Sequence, residues 1–99
     1  MNIQIHSVRF DADKKLLNFI QQKIKKLEQY NDRIIGAEVF LRLDNSQNDE
    51  NKIAEIRLDI PPSPLFAKKQ SKTFEEAADG VVDALKRQIT KQKEKLRGV

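Results

Sequence analysis

Two kinds of hydrophobic periodicity follow one another along these 99 residues, and each leaves a single apolar side. From Asn2 to Val8, Ile3 and Ile5 alternate with Gln4 and His6, the period of a half-buried strand. Leu16, Leu17, Ile20, Ile24 and Leu27 then recur at helical spacing. Asp13 is the expected N-cap, with Asp11 adding negative charge near the helix N-terminus. Asn31-Asp32 and Gly36 are turn formers that predict an end near Tyr30. Ala37, Val39, Leu41 and Leu43 alternate with Glu38, Phe40 and Arg42, and Ala54, Ile56, Leu58 and Ile60 alternate with Glu55, Arg57 and Asp59. The polar run from Asn45 to Asn51 joins these two strands as a hairpin loop. Glu38, Arg42, Glu55, Arg57 and Asp59 are placed to pair across strands on the outer face.

Pro61-Pro62-Ser63-Pro64 ends the third strand, because proline cannot donate to a ladder. Leu65 to Lys69 reads as a short peripheral fourth strand. Thr73-Phe74-Glu75-Glu76 is a capping box for a long second helix whose stripe is Phe74, Ala78, Val81, Val82, Leu85, Ile89 and Leu96, with Gly98 as its C-cap. The predicted fold is therefore α+β, in the order β-α-β-β-β-α, as one domain over residues 1–99. One-sided strands and one-sided helices pack most economically as a four-stranded sheet with both helices on one face. The other face is expected to stay polar, as antiparallel sheets allow.

The charge is as asymmetric as the hydropathy. From Ala84 to Arg97 the chain carries Lys86, Arg87, Lys91, Lys93, Lys95 and Arg97 against Glu94 alone, or +5. Lys14 to Glu28 adds Lys14, Lys15, Lys23, Lys25 and Lys26 against Glu28, or +4. The net charge is +4, so the other residues sum to −5. At 100° per residue, Arg87, Lys91 and Lys95 share one flank of the second helix, and Lys86, Lys93 and Arg97 the other. Helices that merely solvate a surface alternate Glu with Lys, and these segments do not. Two cationic stretches on an acidic body form an electrostatic footprint for a polyanion, with RNA phosphates the expected partner.

Other classes are disfavoured. No cysteine means no disulfide, no thiolate metal site and no cysteine nucleophile, in keeping with a reducing cytoplasm. No apolar run approaches the roughly 20 residues of a membrane span, and the outward helix faces lack the aromatic and leucine side chains of an interfacial helix. The start, Met1 to His6, has no basic or apolar region of a secretory signal. His6 is the only histidine and reads as a surface or packed residue; Asp49 and Glu50 read as a loop tip. Ser63 and Ser71 lack a nucleophile elbow, and Gly36, Gly80 and Gly98 are too scattered for a phosphate loop. No enzyme, cofactor or small-molecule substrate is expected. Phe40 projects from the outer face, where it either stacks on a base, or covers a neighbouring arginine or lies under a loop; the latter is favoured because the cations lie on the helices.

Two stretches carry a family resemblance. Leu27-Glu28-Gln29-Tyr30-Asn31-Asp32-Arg33-Ile34 resembles the end of the first helix in the bacterial ribosome hibernation-promoting factors, also called ribosome-associated inhibitors. Asp79-Gly80-Val81-Val82-Asp83 and Arg87-Gln88-Ile89-Thr90-Lys91-Gln92-Lys93 resemble the opening and the tail of that family's second helix. The resemblance implies a fold similar in outline to double-stranded RNA-binding domains. It implies binding to the small ribosomal subunit, at rRNA of the decoding region, in the path of mRNA and tRNA, with translation silenced in stationary phase or stress. It assigns rRNA contacts to Lys23, Lys26, Arg33, Arg87, Lys91, Lys93 and Lys95, with Tyr30 shared. Lys86 is included as a cation two positions from where relatives often carry one, at Ala84. The Pro61 to Pro64 stretch also departs from the family pattern. The chain reads as a short form without the additional C-terminal dimerisation domain, so whether it pairs ribosomes into dimers is open. Two alternatives stand: a protein-interaction module acting on a transcription factor through the Leu65 to Lys69 strand, and a generic double-stranded RNA binder.

Overall fold

The computed structural model describes residues 1–45 and 49–96. The elements run β1 (Asn2–Ser7), α1 (Lys14–Lys25), β2 (Gly36–Leu43), β3 (Lys52–Asp59), β4 (Leu65–Ser71) and α2 (Phe74–Leu96). A 3-10 turn over Lys26–Gln29 extends α1 to the expected end at Tyr30. Both helix starts are capped. The Leu16 amide donates to Asp13 Oδ1 at 2.8 Å, and the Glu76 amide donates to Thr73 Oγ1 at 3.1 Å. Among the described residues Glu76 makes no return bond, so the capping box is half formed. Glu75 and Glu76 in the first turn of α2, and Lys93 and Lys95 in the last, complement the helix dipole.

The sheet order is β1-β2-β3-β4. β2 with β3 and β3 with β4 are antiparallel, but β1 runs parallel to β2, pairing Asn2 with Gly36 and Ser7 with Leu41. The sheet is thus mixed, a correction to the antiparallel expectation. The reason lies in the connection: β1 reaches β2 through a whole helix, the crossover a parallel pair needs. Gly36 sits where β1 comes closest, and a Cβ there would lie 2.8 Å from the Asn2 carbonyl oxygen.

Val39, Leu41, Ala54, Ile56 and Leu58 are fully buried beneath Ile20, Ile24, Ala78, Val81, Leu85 and Ile89. Leu16, Ile20, Ile24 and Leu27 of the first stripe and Phe74, Ala78, Val81, Val82, Leu85 and Ile89 of the second are buried, and Ala77 joins them. Leu17 is only half-buried and outside the core, and the Leu96 side chain lies outside the described residues. Leu43, assigned to the same face, is exposed because it lies at the hairpin end of β2, beyond the buried cluster. Phe10, in the β1–α1 connection, stacks on Phe74 with ring centroids 4.9 Å apart.

The outer face is less polar than expected. Ile53 is buried on it and Phe66 is 55% exposed. Phe40 stacks on His6 across the parallel pair at 5.0 Å, a partner other than the arginine expected, and His6 Nε2 lies 3.1 Å from Glu38 Oε2. Arg42 bridges diagonally to Glu55, one of the cross-strand pairs anticipated. Among the described residues no helix is long and apolar enough to cross a membrane.

Candidate nucleic-acid interface

Two contacts tie α1 to α2. Lys23 Nζ lies 2.8 Å from Asp79 Oδ1, and the Lys86 ammonium sits 4.9 Å above the Tyr30 ring. Lys23 also lies 5.5 Å over the ring of Phe19. The Tyr30 hydroxyl, as hydrogen-bond partner, and then the nearby charges hold the Lys86 ammonium above the usual lysine range. These contacts frame a narrow groove of about 160 Å³ between the helices, lined by Lys23, Lys26, Tyr30, Asp79, Asp83 and Lys86 among others.

The expected cations fall into connected sets. Lys23, Lys26 and Lys86 share the inter-helix groove. Lys86, Arg87 and Lys91 line a shallow hollow on the solvent side of α2. Lys91 and Lys95 line a cleft between α2 and the connection that leads into β4. Lys86 and Lys91 each belong to two sets, so Lys26, Lys86, Arg87, Lys91 and Lys95 form a continuous band. Lys26, Arg87, Lys91 and Lys95 are exposed, and none makes an ion pair among the described residues. Lys93 is half-buried and lines none of these hollows. Arg33 is exposed in the turn after the 3-10 segment, where its amide donates to Asn31 Oδ1 at 2.8 Å; it too stands outside the band. Arg97 lies outside the described residues, as does Gly98.

Lys23 needs correction. The charge count treated the helix faces as nearly without acids, but Asp79, one turn before Asp83 on α2, holds the Lys23 ammonium. The groove itself is of mixed charge, and the unpaired cations lie on its rim and along the C-terminal half of α2. Three contributors escaped sequence reasoning. Lys69 follows the inward alternation of Leu65 and Ala67, and its stem lies against α2, 3.3 Å from where a Gly80 Cβ would be. A lysine on the apolar register of an edge strand is the signal that reveals it. Gln88 and Gln92 donate to backbone carbonyls of Phe66 and Ser63, at 3.0 and 3.2 Å. No sequence pattern marks those two bonds, because they join residues 22 and 29 positions apart.

The profile of a family described as sigma 54 modulation protein / S30EA ribosomal protein matches residues 3–97. This chain belongs to that family. It is 31% identical over 97 residues to the ribosome hibernation promoting factor of Klebsiella oxytoca, covering 98% of this chain and 96% of that one. Against the protein of the same name from Escherichia coli K12 the identity is 30% over 97 residues, with 98% of each covered. Among solved structures, a ribosomal subunit interface protein from Coxiella burnetii superimposes with a TM-score of 0.84 at 21% identity, over 95% of this chain and 99% of that one. The N-terminal domain of Thermus thermophilus Protein Y gives 0.80 at 24% identity, over 92% and 98%. Both structures share this fold, with a four-stranded sheet under two helices.

Proposed function

We propose that this protein is a ribosome hibernation factor that binds rRNA of the small ribosomal subunit through the cations of α1 and α2. The observation that carries this reading is the band of Lys26, Lys86, Arg87, Lys91 and Lys95 on one side of the molecule, in a chain about 30% identical to named hibernation factors. The mechanism is steric. The protein occupies the mRNA and tRNA path at the decoding region, blocks translation in stationary phase or stress, and acts in the cytoplasm without catalysing a reaction. A band that neutralises several phosphates releases counterions, so affinity falls steeply with salt.

Sedimentation of the purified protein with purified subunits through sucrose gradients tests it. Co-migration with the small subunit, weakening as salt rises, is expected; no co-migration at low salt overturns it. A new dimer peak would show that this chain also pairs ribosomes. One observation favours a second reading: Phe66 is 55% exposed on the edge strand β4, a surface suited to strand addition by a protein partner. RNase treatment separates the two, since a protein partner survives it.

A further inference from the structure

β1 leaves the sheet beside the hairpin end of β2. The Val8 amide still donates to the Leu41 carbonyl at 2.9 Å, but the next residue, Arg9, has a φ of 65°. Glycine adopts that left-handed backbone freely, whereas a side chain makes it costly. An arginine standing where glycine would fit without strain points to a use for its side chain. Arg9 borders a cavity of about 620 Å³ at the hairpin end of the sheet's outer face. The apolar lining is aliphatic: Ile53 is buried there, and Val8 and Leu43 are exposed. Gln70 Nε2 donates to Asp44 Oδ2 at 3.0 Å and to the Glu50 carbonyl at 2.6 Å, which ties β4 to both sides of the hairpin. The lining carries Arg9, Arg42 and Lys68 against Asp44, a net +2. The neighbouring acids are already engaged. Gln70 holds Asp44, and Arg42 holds Glu55, which faces Lys68 across the β3–β4 pair. Arg9 and Lys68 are exposed and form no ion pair among the described residues.

We infer that this cavity receives an acidic protein segment in which carboxylates flank an aliphatic side chain. The side chain lies against Val8, Leu43 and Ile53, and the carboxylates meet Arg9 and Lys68 in charge-assisted hydrogen bonds. Protein is favoured over RNA because, among the described residues, no aromatic ring lines the cavity for a base to stack on. The cationic band of α1 and α2 lies on the other side of the sheet, so a polyanion held there leaves this cavity open. The site therefore goes beyond the rRNA reading and does not depend on it.

The test titrates ¹⁵N-labelled protein with a hexapeptide that alternates leucine and glutamate, beside one that alternates leucine and lysine. Saturating shifts of the Arg9, Ile53 and Lys68 amides are expected with the acidic peptide alone. Arg9→Gly keeps the backbone angle and removes the cation. Peptide affinity should then fall about fivefold, the upper range for an exposed charge pair, while the urea midpoint stays at or above that of the wild type. Adding Lys68→Glu should abolish the shifts. The site is overturned by an absence of shifts with the acidic peptide, by equal shifts with the basic one or with a single-stranded RNA hexamer, or by undiminished affinity in Arg9→Gly. A lower urea midpoint for Arg9→Gly overturns it too, since the arginine would then be a support of the fold. The titration needs no ribosome, so its failure leaves the rRNA reading standing, and a failure of subunit binding leaves this site standing.

Discussion

The Lys86 ammonium lies 4.9 Å above the ring of Tyr30, so the end of the first helical segment and the middle of α2 meet through a cation and an aromatic face. Tyr30 closes the 3-10 turn after α1, and Lys86 stands on the flank of α2 that faces it. The hydrogen bond to the Tyr30 hydroxyl is the leading cause that raises the Lys86 pKa, ahead of the charge of Tyr30 and that of Asp83. A lysine whose folded pKa is raised contributes stability fully below the unfolded value of about 10.4, and loses it as pH rises through the folded value. This contact is therefore constant across neutral pH. Tyr30→Phe should lower the Lys86 midpoint toward the ordinary lysine value, read from its ζ resonance in an NMR titration. An unmoved midpoint would show that the hydroxyl is not the cause.

Reversing Arg87, Lys91 and Lys95 to Glu should abolish small-subunit binding while leaving the fold intact. All three are exposed on α2 and none belongs to the buried cluster. Circular dichroism should match the wild type, and gradients at low salt should show no co-migration. A folded triple variant that still binds would remove this face from the site.

Asp79→Asn should separate stability from binding. It breaks the bridge to Lys23, a partly exposed pair, so the loss on denaturant unfolding should stay below about 1 kcal/mol. It also removes an acid from the groove and releases an ammonium beside Lys26, so small-subunit affinity should rise. Weaker binding would mean that Lys23 works only in its bridged position.

The two glycines should respond in opposite directions to alanine. At Gly36 the new Cβ meets the backbone oxygen of Asn2 at 2.8 Å, and a strand pair cannot step aside as a side chain can. A loss of about 2 kcal/mol is expected, within the range typical of core strain. At Gly80 the neighbour is the flexible stem of Lys69 at 3.3 Å, which can yield. There alanine should add up to about 1 kcal/mol, because glycine weakens a helix interior by that much. Urea midpoints of the two variants, compared with the wild type, check both signs.

The cationic band was only partly legible before folding. Lys91 and Lys95 stand four residues apart, so helical geometry alone places them on one flank, and the structure keeps them at one cleft. Lys26 and Lys86 are 60 positions apart and share the inter-helix groove only because α1 and α2 lie side by side. The bridge from Lys23 to Asp79 was illegible for the same reason. Its partner Asp79 belongs to the other helix, and charge counts along the chain do not see across a groove.

The sequence by itself determined the elements and most of their inward residues, with Leu17 and Leu43 the exceptions. Periods of 2 and 3.6 are local properties, and burying the apolar side of each segment is enough to orient it. Ile20, Ile24, Val39, Ile56, Leu85 and Ile89 are all buried as that argument requires. Tertiary structure alone decided the parallel pairing of β1 with β2, the stacking of Phe40 on His6, and the fastening of residues Ser63 and Phe66 to Gln92 and Gln88. Each depends on which strand or loop becomes a neighbour, and neighbours are chosen by the packing of the whole sheet under both helices. Hydropathy patterns specify faces; only the closed core sets the polar contacts at its rim.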